Sequence, residues 1–396
     1  MEALISFQQI LLRSINNDFR RSLHNHIHWG QRMIGIRGPR GAGKTTMLLQ
    51  HLRYDTDNMD EALYVTADHP WFYSHTLFDT ADTWYKLGGK ILMIDEVHKY
   101  PDWSVELKNI YDGFPEMKII FTASSALDIY RGEADLSRRV ISYDLPGLSF
   151  REYLGFVTKK HFDPVSFEKL RLHHTEISRE ITELIRPLSY FAAYLRNGYL
   201  PIVSEGADTY PMKLSQIINV VVETDLAYAA SYNSGTAVKV KKLLSVIAGS
   251  VPFKPNISAL ARKLDLSRES VYQYIHQLKD AKLLNVLNTP GHGISILQKP
   301  EKLFLENTNL AYALTSQPEK GNIRETFVLN QLLNAGLSVY APAQGDFLVN
   351  ETTIEVGGKN KTTSQVSHVN DFLIAIDDVE TGYGNKVPIW LFGFLY

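Results

Sequence analysis

Short apolar runs alternate with amphipathic stretches over the first 145 residues of the chain. Five runs have the length and composition of strands, and they lie at residues 33–37, 62–66, 91–95, 118–122 and 139–143. Between the first four runs, apolar residues recur at helical spacing, as Met47, Leu48 and Leu52 do. This alternation favours an α/β core with a parallel sheet, helices on both faces and ligands at the carboxyl ends of the strands.

The pattern becomes helix-rich between residues 146 and 235, with Pro164, Pro187 and Pro201 as breaks. Three more helices are predicted between residues 237 and 287, and Ser267 has the position of an N-cap before the third. Their inner faces carry Val240, Leu243, Leu244 and Ile247, then Ile257, Leu260, Ala261 and Leu264, then Val271, Tyr274, Ile275 and Leu278. This arrangement is typical of a helix-turn-helix, with residues 288–296 as a wing.

Residues 300–396 are predicted to form a small α/β domain. A helix at 324–333 precedes strands at 347–349, 353–356 and 372–376, and the apolar residues 389–394 are predicted to form a last strand. The pattern therefore divides the chain into four predicted domains, at 1–145, 146–235, 236–299 and 300–396.

A glycine-rich loop follows the first strand and opens the first core helix. It matches the pattern G-x-x-x-x-G-K-[ST], whose backbone N–H groups surround phosphate oxygens at a helix N-terminus. We predict that Lys44 contacts the β- and γ-phosphates and that the Thr45 hydroxyl binds Mg²⁺. A glycine turn that binds nothing is the alternative, and the flanking strand and helix disfavour it. The predicted nucleotide-binding residues are Gly38, Pro39, Arg40, Gly41, Ala42, Gly43, Lys44, Thr45 and Thr46.

Two acids follow the buried strand at 91–95, in the sequence Ile-Leu-Met-Ile-Asp95-Glu96. A carboxylate pair at the end of a buried strand suits a site for Mg²⁺ and a nucleoside triphosphate. Asp95 is predicted to hold the metal and Glu96 to polarise the attacking water. The expected ligands are therefore ATP and Mg²⁺.

Two more residues are candidates for catalysis. Ser124 follows the fourth strand, where a hydroxyl can contact the γ-phosphate or the water, with Thr122 as the second choice. An equal alternative is that Ser124 caps the next helix. Arg139 could neutralise charge in the transition state, in its own subunit or across an interface, or could be an ordinary surface residue.

Composition narrows the function classes. Hydrophobic residues make up 44% and charged residues 21%, and the net charge is −2, so any nucleic-acid surface has to be local. The chain has no cysteine, which excludes disulfides and thiolate metal sites. Its first 18 residues lack the pattern of a secretion signal, and no apolar run has membrane-spanning length. We expect a soluble, cytoplasmic protein without a membrane partner.

Three histidines, His24, His26 and His28, surround Trp29 near the end of the N-terminal segment. Their spacing could indicate a metal site, but no acid or cysteine stands among them. A surface turn near the nucleotide base is the favoured interpretation.

Local charge marks the helix-turn-helix segment. Residues 237–287 contain nine basic and three acidic residues, a net charge of +6. DNA is therefore a candidate partner, since the N-terminal half of a recognition helix reads bases. An interdomain spacer is the alternative. The candidate nucleic-acid contacts are Lys263, Arg268, Gln273, His276 and Lys279.

Acids in the last domain suggest a metal nuclease of the PD-(D/E)xK type. Asp346 precedes one strand, Glu355 lies in the next, and Glu325 lies in the preceding helix. The lysine expected two residues after Glu355 is replaced by Gly357, and Lys359 lies two residues too far along. A bulge could return Lys359 to the site. A degenerate nuclease without efficient cleavage is the favoured prediction.

These motifs together resemble a family of prokaryotic AAA-type P-loop ATPases. The resemblance rests on the loop, on residues 94–101, on residues 121–125 and on residues 148–153, and it covers nearly the whole chain. It implies a P-loop NTPase core, a helical lid, a winged helix and a C-terminal restriction-nuclease-like domain. It also assigns Walker A roles to Lys44 and Thr45 and Walker B roles to Asp95 and Glu96. Arg139 falls at the family's usual arginine, but Arg138 replaces the glycine before it.

The function expected from these signals is hydrolysis of Mg-ATP, which would drive conformational change in the attached domains. One alternative is a slow nucleotide-dependent switch, and another is a DNA-directed effector with a nuclease domain. A homo-oligomer is an additional candidate assembly.

Overall fold

The computed structural model describes residues 1–125, 136, 138–227, 233–250, 254–291, 300–366 and 368–396. The chain divides into two compact units, Met1–Gly147 and Leu148–Tyr396. The first boundary lies two residues after the predicted end of the α/β core. Among the described residues, no helix has both the length and the apolar character needed to cross a membrane.

The first unit is built on five parallel strands, as the sequence predicts. Their order is β2-β3-β4-β1-β5, and every pairing between neighbours is parallel. The strands are β1 (Met33–Gly38), β2 (Ala62–Thr66), β3 (Ile91–Asp95), β4 (Lys118–Ser124) and β5 (Ile141–Asp144). The described helices are α1 (Glu2–Ser14), α2 (Lys44–Tyr54), α3 (Leu77–Lys86) and α4 (Trp103–Gly113).

Apolar side chains cover both faces of this sheet. One core cluster joins Ile94 to Leu77 of α3 and Leu107 of α4, and the other joins Ile36 to Leu48 of α2. The two buried faces explain why the strands are continuous apolar runs rather than alternating ones. β5 begins two residues later than predicted.

The second unit begins with helices. They are α5 (Phe150–Thr158), α6 (Phe167–Leu184), α7 (Leu188–Asn197), α8 (Tyr210–Val220), α9 (Ser234–Ala248), α10 (Ile257–Leu264) and α11 (Arg268–Asp280). Ser267 caps α11, since its Oγ accepts a hydrogen bond from the Ser270 N–H at 2.9 Å. An antiparallel pair, β6 (Leu284–Leu287) and β7 (Lys302–Leu305), follows these helices. The pairing crosses the boundary predicted at residue 299, and residues 292–296 of the predicted wing lie outside the described residues.

A second five-stranded sheet, of mixed direction, lies near the C-terminus. Its order is β12-β11-β10-β9-β8, and β10 pairs parallel to β11 but antiparallel to β9. The helices before it are α12 (Thr308–Leu314) and α13 (Lys320–Asn334), and the strands are β8 (Val339–Tyr340), β9 (Phe347–Val349), β10 (Thr352–Gly357), β11 (Phe372–Ile376) and β12 (Lys386–Pro388).

The prediction of a strand at 389–394 is wrong, because Ile389–Phe394 forms a 3-10 helix. All six of its residues are buried. A short apolar run that is buried all round has no periodicity, so the sequence pattern does not separate a strand from a helix there.

Candidate nucleotide-binding site

The glycine-rich loop joins the carboxyl end of β1 to the start of α2. Gly41 and Gly43 have φ angles of 81° and 94°, a region where a side chain would be strained. Lys44 is the first residue of α2, and its Nζ donates hydrogen bonds to the carbonyls of Gly38 at 2.8 Å and Pro39 at 3.1 Å. The ammonium therefore lies across the loop that the sequence assigns to phosphates.

Arg21, which the sequence analysis did not identify, holds this loop from behind. The residue is buried, and its Nη1 donates to the Ala42 carbonyl at 2.6 Å. Its Nη2 donates to the carbonyls of Pro146 at 2.8 Å and Gly147 at 2.9 Å. One guanidinium thus fastens the loop to the chain that leaves β5.

Replacing Arg21 with Met is expected to lower the free energy of unfolding by about 3 kcal/mol, because buried carbonyls lose charged donors. ATP affinity should fall as well, since the loop loses its anchor. Chemical denaturation and calorimetric ATP titration measure the two effects. Arg13→Met, on an exposed position of α1, is the matched control. Equal stability of both variants would contradict the anchoring role.

Asp95 accepts hydrogen bonds from three hydroxyl groups. Thr45 Oγ1 and Tyr64 Oη donate to its Oδ2 at 2.6 Å and 2.9 Å, and Thr122 Oγ1 donates to its Oδ1. Burial, followed by the negative charge of Asp95, raises the pKa of Tyr64, so its hydroxyl stays a donor. Thr45 and Asp95 bring two oxygen ligands together, which fits Mg²⁺, a cation that prefers oxygen.

Glu96 has the left-handed φ of 52°, which a non-glycine residue adopts at a cost of about 1 kcal/mol. Its N–H donates to Thr122 Oγ1 at 2.9 Å, so Thr122 aligns both predicted acids. Arg40 Nη1, His98 Nε2 and Lys99 Nζ each lie 3.6 Å from Glu96 Oε2. Within the described part of the chain, this buried oxygen accepts no hydrogen bond. Its position is set, and it remains able to accept a proton.

Ser124 lies beside the loop, because β4 pairs with β1 in the register that places it opposite Gly38. Its N–H donates to His98 Nδ1 at 3.2 Å. The neutral imidazole then carries its proton on Nε2, the atom that faces Glu96. The structure therefore links Ser124 to Glu96 through His98, and contact of its hydroxyl with phosphate stays a prediction.

Arg139 lies near the amino ends of the strands, whereas the loop lies at their carboxyl ends. It precedes the amino end of β5, whose Ile141 pairs with Ile34 near the start of β1. The loop leaves the far end of β1 at Gly38, which lies about 13 Å beyond Ile34 at the usual rise of a strand. Arg139 also forms an ion pair with Asp112 of α4 at 2.8 Å. The geometry does not support a role in its own subunit, and a role across an interface stays a prediction.

The N-terminal histidines differ from the predicted surface turn. His26 and His28 are exposed, but His24 is buried. His24 lies near His51 of α2, with ring centroids 5.8 Å apart. The sequence analysis missed His51 because it lies 27 positions further along the chain.

The candidate nucleic-acid contacts lie on the polar side of α10 and α11. Lys263, Arg268, Gln273 and Lys279 are exposed, and His276 is partly buried. Val271, Ile275 and Leu278 face inward, as predicted. DNA contact stays a prediction.

Glu325, Asp346 and Glu355 each lie close to a lysine in the second unit. Lys302 Nζ lies 3.7 Å from Glu325 and 3.4 Å from Asp346, and Lys361 Nζ lies 2.5 Å from Glu355 Oε1. We name these five residues the carboxylate–lysine cluster. Burial, followed by repulsion from Asp346, raises the pKa of Glu325 to about 7.

The lysine of this cluster is Lys361 and not Lys359, which is exposed. A Cβ on Gly357 would lie 2.6 Å from Lys361 Cδ. The glycine therefore leaves room for the Lys361 side chain to fold back onto Glu355. Residue spacing along β10 did not predict the contact between Lys361 and Glu355, because that contact depends on the turn after β10.

The five-stranded parallel sheet and the loop after β1 fit the core of a P-loop NTPase. Residues 30–154 match the family model described as "AAA domain". This match covers the five-stranded sheet and the loop after β1, and it supports nucleotide-dependent ATPase activity at the level of the family only.

Two uncharacterized proteins of Methanocaldococcus jannaschii match a longer part of the chain than the family model does. The first, MJ1637, is 26% identical over 290 residues, which cover 68% of this chain and 60% of the relative. The second, MJ1544, is 24% identical over 353 residues, which cover 84% of this chain and 74% of the relative. The chain therefore spans about 60% of the first relative's length, and neither name supplies an activity.

Solved structures give weaker likenesses. AMPPCP-bound DnaA from Aquifex aeolicus is 14% identical with a TM-score of 0.28, covering 65% of this chain and 85% of that chain. The Hsp104–ADP complex of S. cerevisiae is 15% identical with a TM-score of 0.26, covering 71% and 39%. PCH-2 of C. elegans is 15% identical with a TM-score of 0.25, covering 69% and 66%. These scores are too low to support an inference.

Proposed function

We propose that the chain binds and hydrolyses Mg-ATP, with Glu96 as the base that activates water. The observation that supports this proposal is the arrangement of Glu96 Oε2, which is buried and free of hydrogen bonds among the described residues. Thr122 fixes its backbone beside Asp95, and three nitrogen-bearing side chains surround its carboxylate. A fixed acceptor beside a phosphate-binding loop is what hydrolysis requires.

The other residues bind and orient. Lys44 and the loop N–H groups contact the phosphates, and Thr45 and Asp95 would hold Mg²⁺. The metal, when bound, neutralises charge on the β- and γ-phosphates. Arg40 and Lys99 keep positive charge close to the reacting phosphate. Arg139 acts, in this proposal, on the site of a neighbouring copy of the chain.

Turnover of ATP by the full chain in Mg²⁺ is the test, measured as released phosphate on a sample of known mass. Steady turnover supports an ATPase that drives change in the second unit. Copurified ADP with negligible turnover would instead favour the nucleotide-dependent switch. Failure to bind either nucleotide would contradict both.

A second candidate function is metal-dependent cleavage of nucleic acid, and the carboxylate–lysine cluster favours it. Glu325 Oε2 is buried and has no hydrogen-bond partner among the described residues, so a cation fits the chemistry of these carboxylates. Asp346 and Glu355 would hold the metal, which supplies charge stabilisation when bound. Lys361 orients water or stabilises negative charge there. This lysine removes the reason for predicting a degenerate site.

Lys361→Ala is expected to reduce Mn²⁺-dependent plasmid cleavage by about 10²-fold, as loss of one electrostatic contact to the transition state does. Lys359→Ala, two residues away and exposed, should cleave like the wild type. Gel assays of the full chain measure both rates, and Glu355→Ala reports contaminating nuclease. Equal loss in the Lys359 and Lys361 variants, or no cleavage by wild type, would contradict this function.

A further inference from the structure

A cluster of two histidines and one aspartate lies at the end of α2 away from the phosphate loop. His51 and Asp55 are one turn apart, so they share a face, and His24 reaches them from the segment before β1. His24 Nε2 lies 3.1 Å from Asp55 Oδ2, and His51 Nδ1 lies 3.7 Å from the same oxygen. One ligand atom from each residue lies within 4.8 Å of the other two.

These separations match a metal site. Zinc binds imidazole and carboxylate at about 2.0–2.1 Å in a tetrahedron, which places neighbouring ligand atoms about 3.4 Å apart. Asp55 keeps 29% of its side chain exposed, which gives an ion a route from solvent and leaves space for water as a fourth ligand. Two imidazoles favour zinc and similar transition metals over Mg²⁺, which prefers oxygen ligands.

Both histidines present buried nitrogens without hydrogen-bond partners among the described residues. His24 and His51 are each only 5% exposed. His24 Nε2 and His51 Nδ1, the atoms that face Asp55, are buried and form no well-aligned hydrogen bond with a described residue. Burial lowers the pKa of His24 and lowers that of His51 to about 4. Two buried imidazole nitrogens that face one carboxylate oxygen are a donor set that zinc and similar metals bind.

Contacts outside the cluster hold its three members in place. Trp29 stacks on His51, with ring centroids 3.7 Å apart and planes 11° from parallel. Trp29 Nε1 also donates to the His24 carbonyl at 2.9 Å. Arg20 Nη1 donates to both oxygens of Asp55 at 2.9 Å, the kind of support that ligating carboxylates receive in metal sites.

Two cations oppose a bound metal. Arg20 contacts Asp55 directly, and the charge of Lys118 acts on His51. The positive charges of Arg20 and Lys118 weaken the affinity for a metal but leave the three ligand atoms in place. Arg20 then contacts the Asp55 carboxylate from outside the metal site. A metal at this place would lie about 10–16 Å along α2 from Lys44 at the rise of an α-helix. Its effect would be structural and not part of phosphate chemistry.

We propose that His24, His51 and Asp55 bind a zinc-class divalent metal that fastens the segment before β1 to the carboxyl end of α2. The fastened segment includes Arg21, whose guanidinium anchors the phosphate loop. The alternative is a metal-free cluster in which the two buried imidazoles lie beside the ion pair between Arg20 and Asp55.

Cobalt(II) is the probe, because it substitutes for zinc and its visible absorption reports imidazole ligands in a tetrahedral site. The full chain is stripped with chelator, kept free of nucleotide and titrated with Co²⁺, with bound metal counted by equilibrium dialysis. We expect an absorption band that saturates with one metal per chain and is abolished by stoichiometric Zn²⁺. Asp55→Asn should weaken this binding by about 10²-fold or more, since even outer partners of metal sites contribute 10–100-fold.

Controls separate this site from other metal-binding groups. Asp57→Asn and His26→Gln alter exposed neighbours and should bind like the wild type. Bound Co²⁺ should quench the fluorescence of Trp29, and this quenching should be lost in Trp29→Phe. Circular dichroism checks the fold, and His24→Gln is the decisive variant if Asp55→Asn does not fold. Absence of saturable binding, equal loss in the control variants, or quenching that persists in Trp29→Phe would overturn the proposal.

Discussion

Lys44→Ala is expected to abolish tight ATP binding by the full chain. The ammonium of Lys44 lies over the loop, held by the carbonyls of Gly38 and Pro39, where it can move onto phosphate oxygens. Each hydrogen bond to a charged group contributes about 1.5–3 kcal/mol. Two such bonds, to the β- and γ-phosphates, predict a loss of at least about 10²-fold in affinity. Calorimetric titration with ATP and Mg²⁺ measures this loss.

Lys86→Ala is the matched control, because Lys86 is an exposed lysine on α3 that pairs with Asp82. It should bind ATP like the wild type. Since Lys44 is buried, thermal unfolding has to show that its variant is folded. Unchanged affinity in folded Lys44→Ala would remove the proposed phosphate site.

Glu96→Gln is expected to keep ATP binding but to slow hydrolysis by at least about 10²-fold, the usual contribution of a general base. The amide preserves the shape of the side chain and the backbone bond to Thr122, but it does not take up the proton from water. The pair of measurements is the affinity for ATP and the rate of single-turnover hydrolysis.

Glu116→Gln is the control, because it replaces a carboxylate with an amide at an exposed position away from the loop. A hydrolysis rate near that of the wild type in Glu96→Gln would move the base elsewhere. Asp95, the acid that ends β3, would then be the other candidate base near the loop. A loss of ATP binding would show that Glu96 contributes to the loop rather than to proton transfer.

The contacts of Glu96 also bear on the choice between an ATPase that drives change in the second unit and a slow nucleotide-dependent switch. Arg40, His98 and Lys99 surround the carboxylate at equal distances of 3.6 Å. Arg40 belongs to the phosphate loop, so nucleotide binding and the position of the base are physically connected. Rates measured with and without DNA on one sample would show whether the helix-turn-helix segment influences that connection.

The parallel sheet and its loop were predictable because their causes are local. The apolar runs for β2 and β3 have the observed bounds, and the glycine pattern predicts a helix that begins at the loop. Only backbone flexibility at Gly41 and Gly43 and the charge of Lys44 are needed for that prediction. The acids after β3 were identified for the same reason, since a strand that ends in carboxylates is visible in the sequence itself.

Contacts between distant segments were not predictable in this way. The sequence does not state that β2 lies beside β3, so the hydroxyl of Tyr64 on Asp95 was missed. Arg21, His51 and Lys361 were missed for the same cause. Each of these residues contacts a partner from another segment or across a turn, and the sequence separation between the two does not predict the contact.

The sequence by itself determined the alternating strands and helices of the first unit, the phosphate loop and the two acids, because hydrophobic periodicity and glycine geometry act over a few residues. Only the tertiary structure decided which side chains complete the sites. It placed Thr122 between Asp95 and Glu96, moved the lysine of the carboxylate–lysine cluster from Lys359 to Lys361, and joined His24 to the end of α2. The physical reason is that hydrogen bonds and ion pairs form at distances of about 3 Å in space, whatever the separation along the chain.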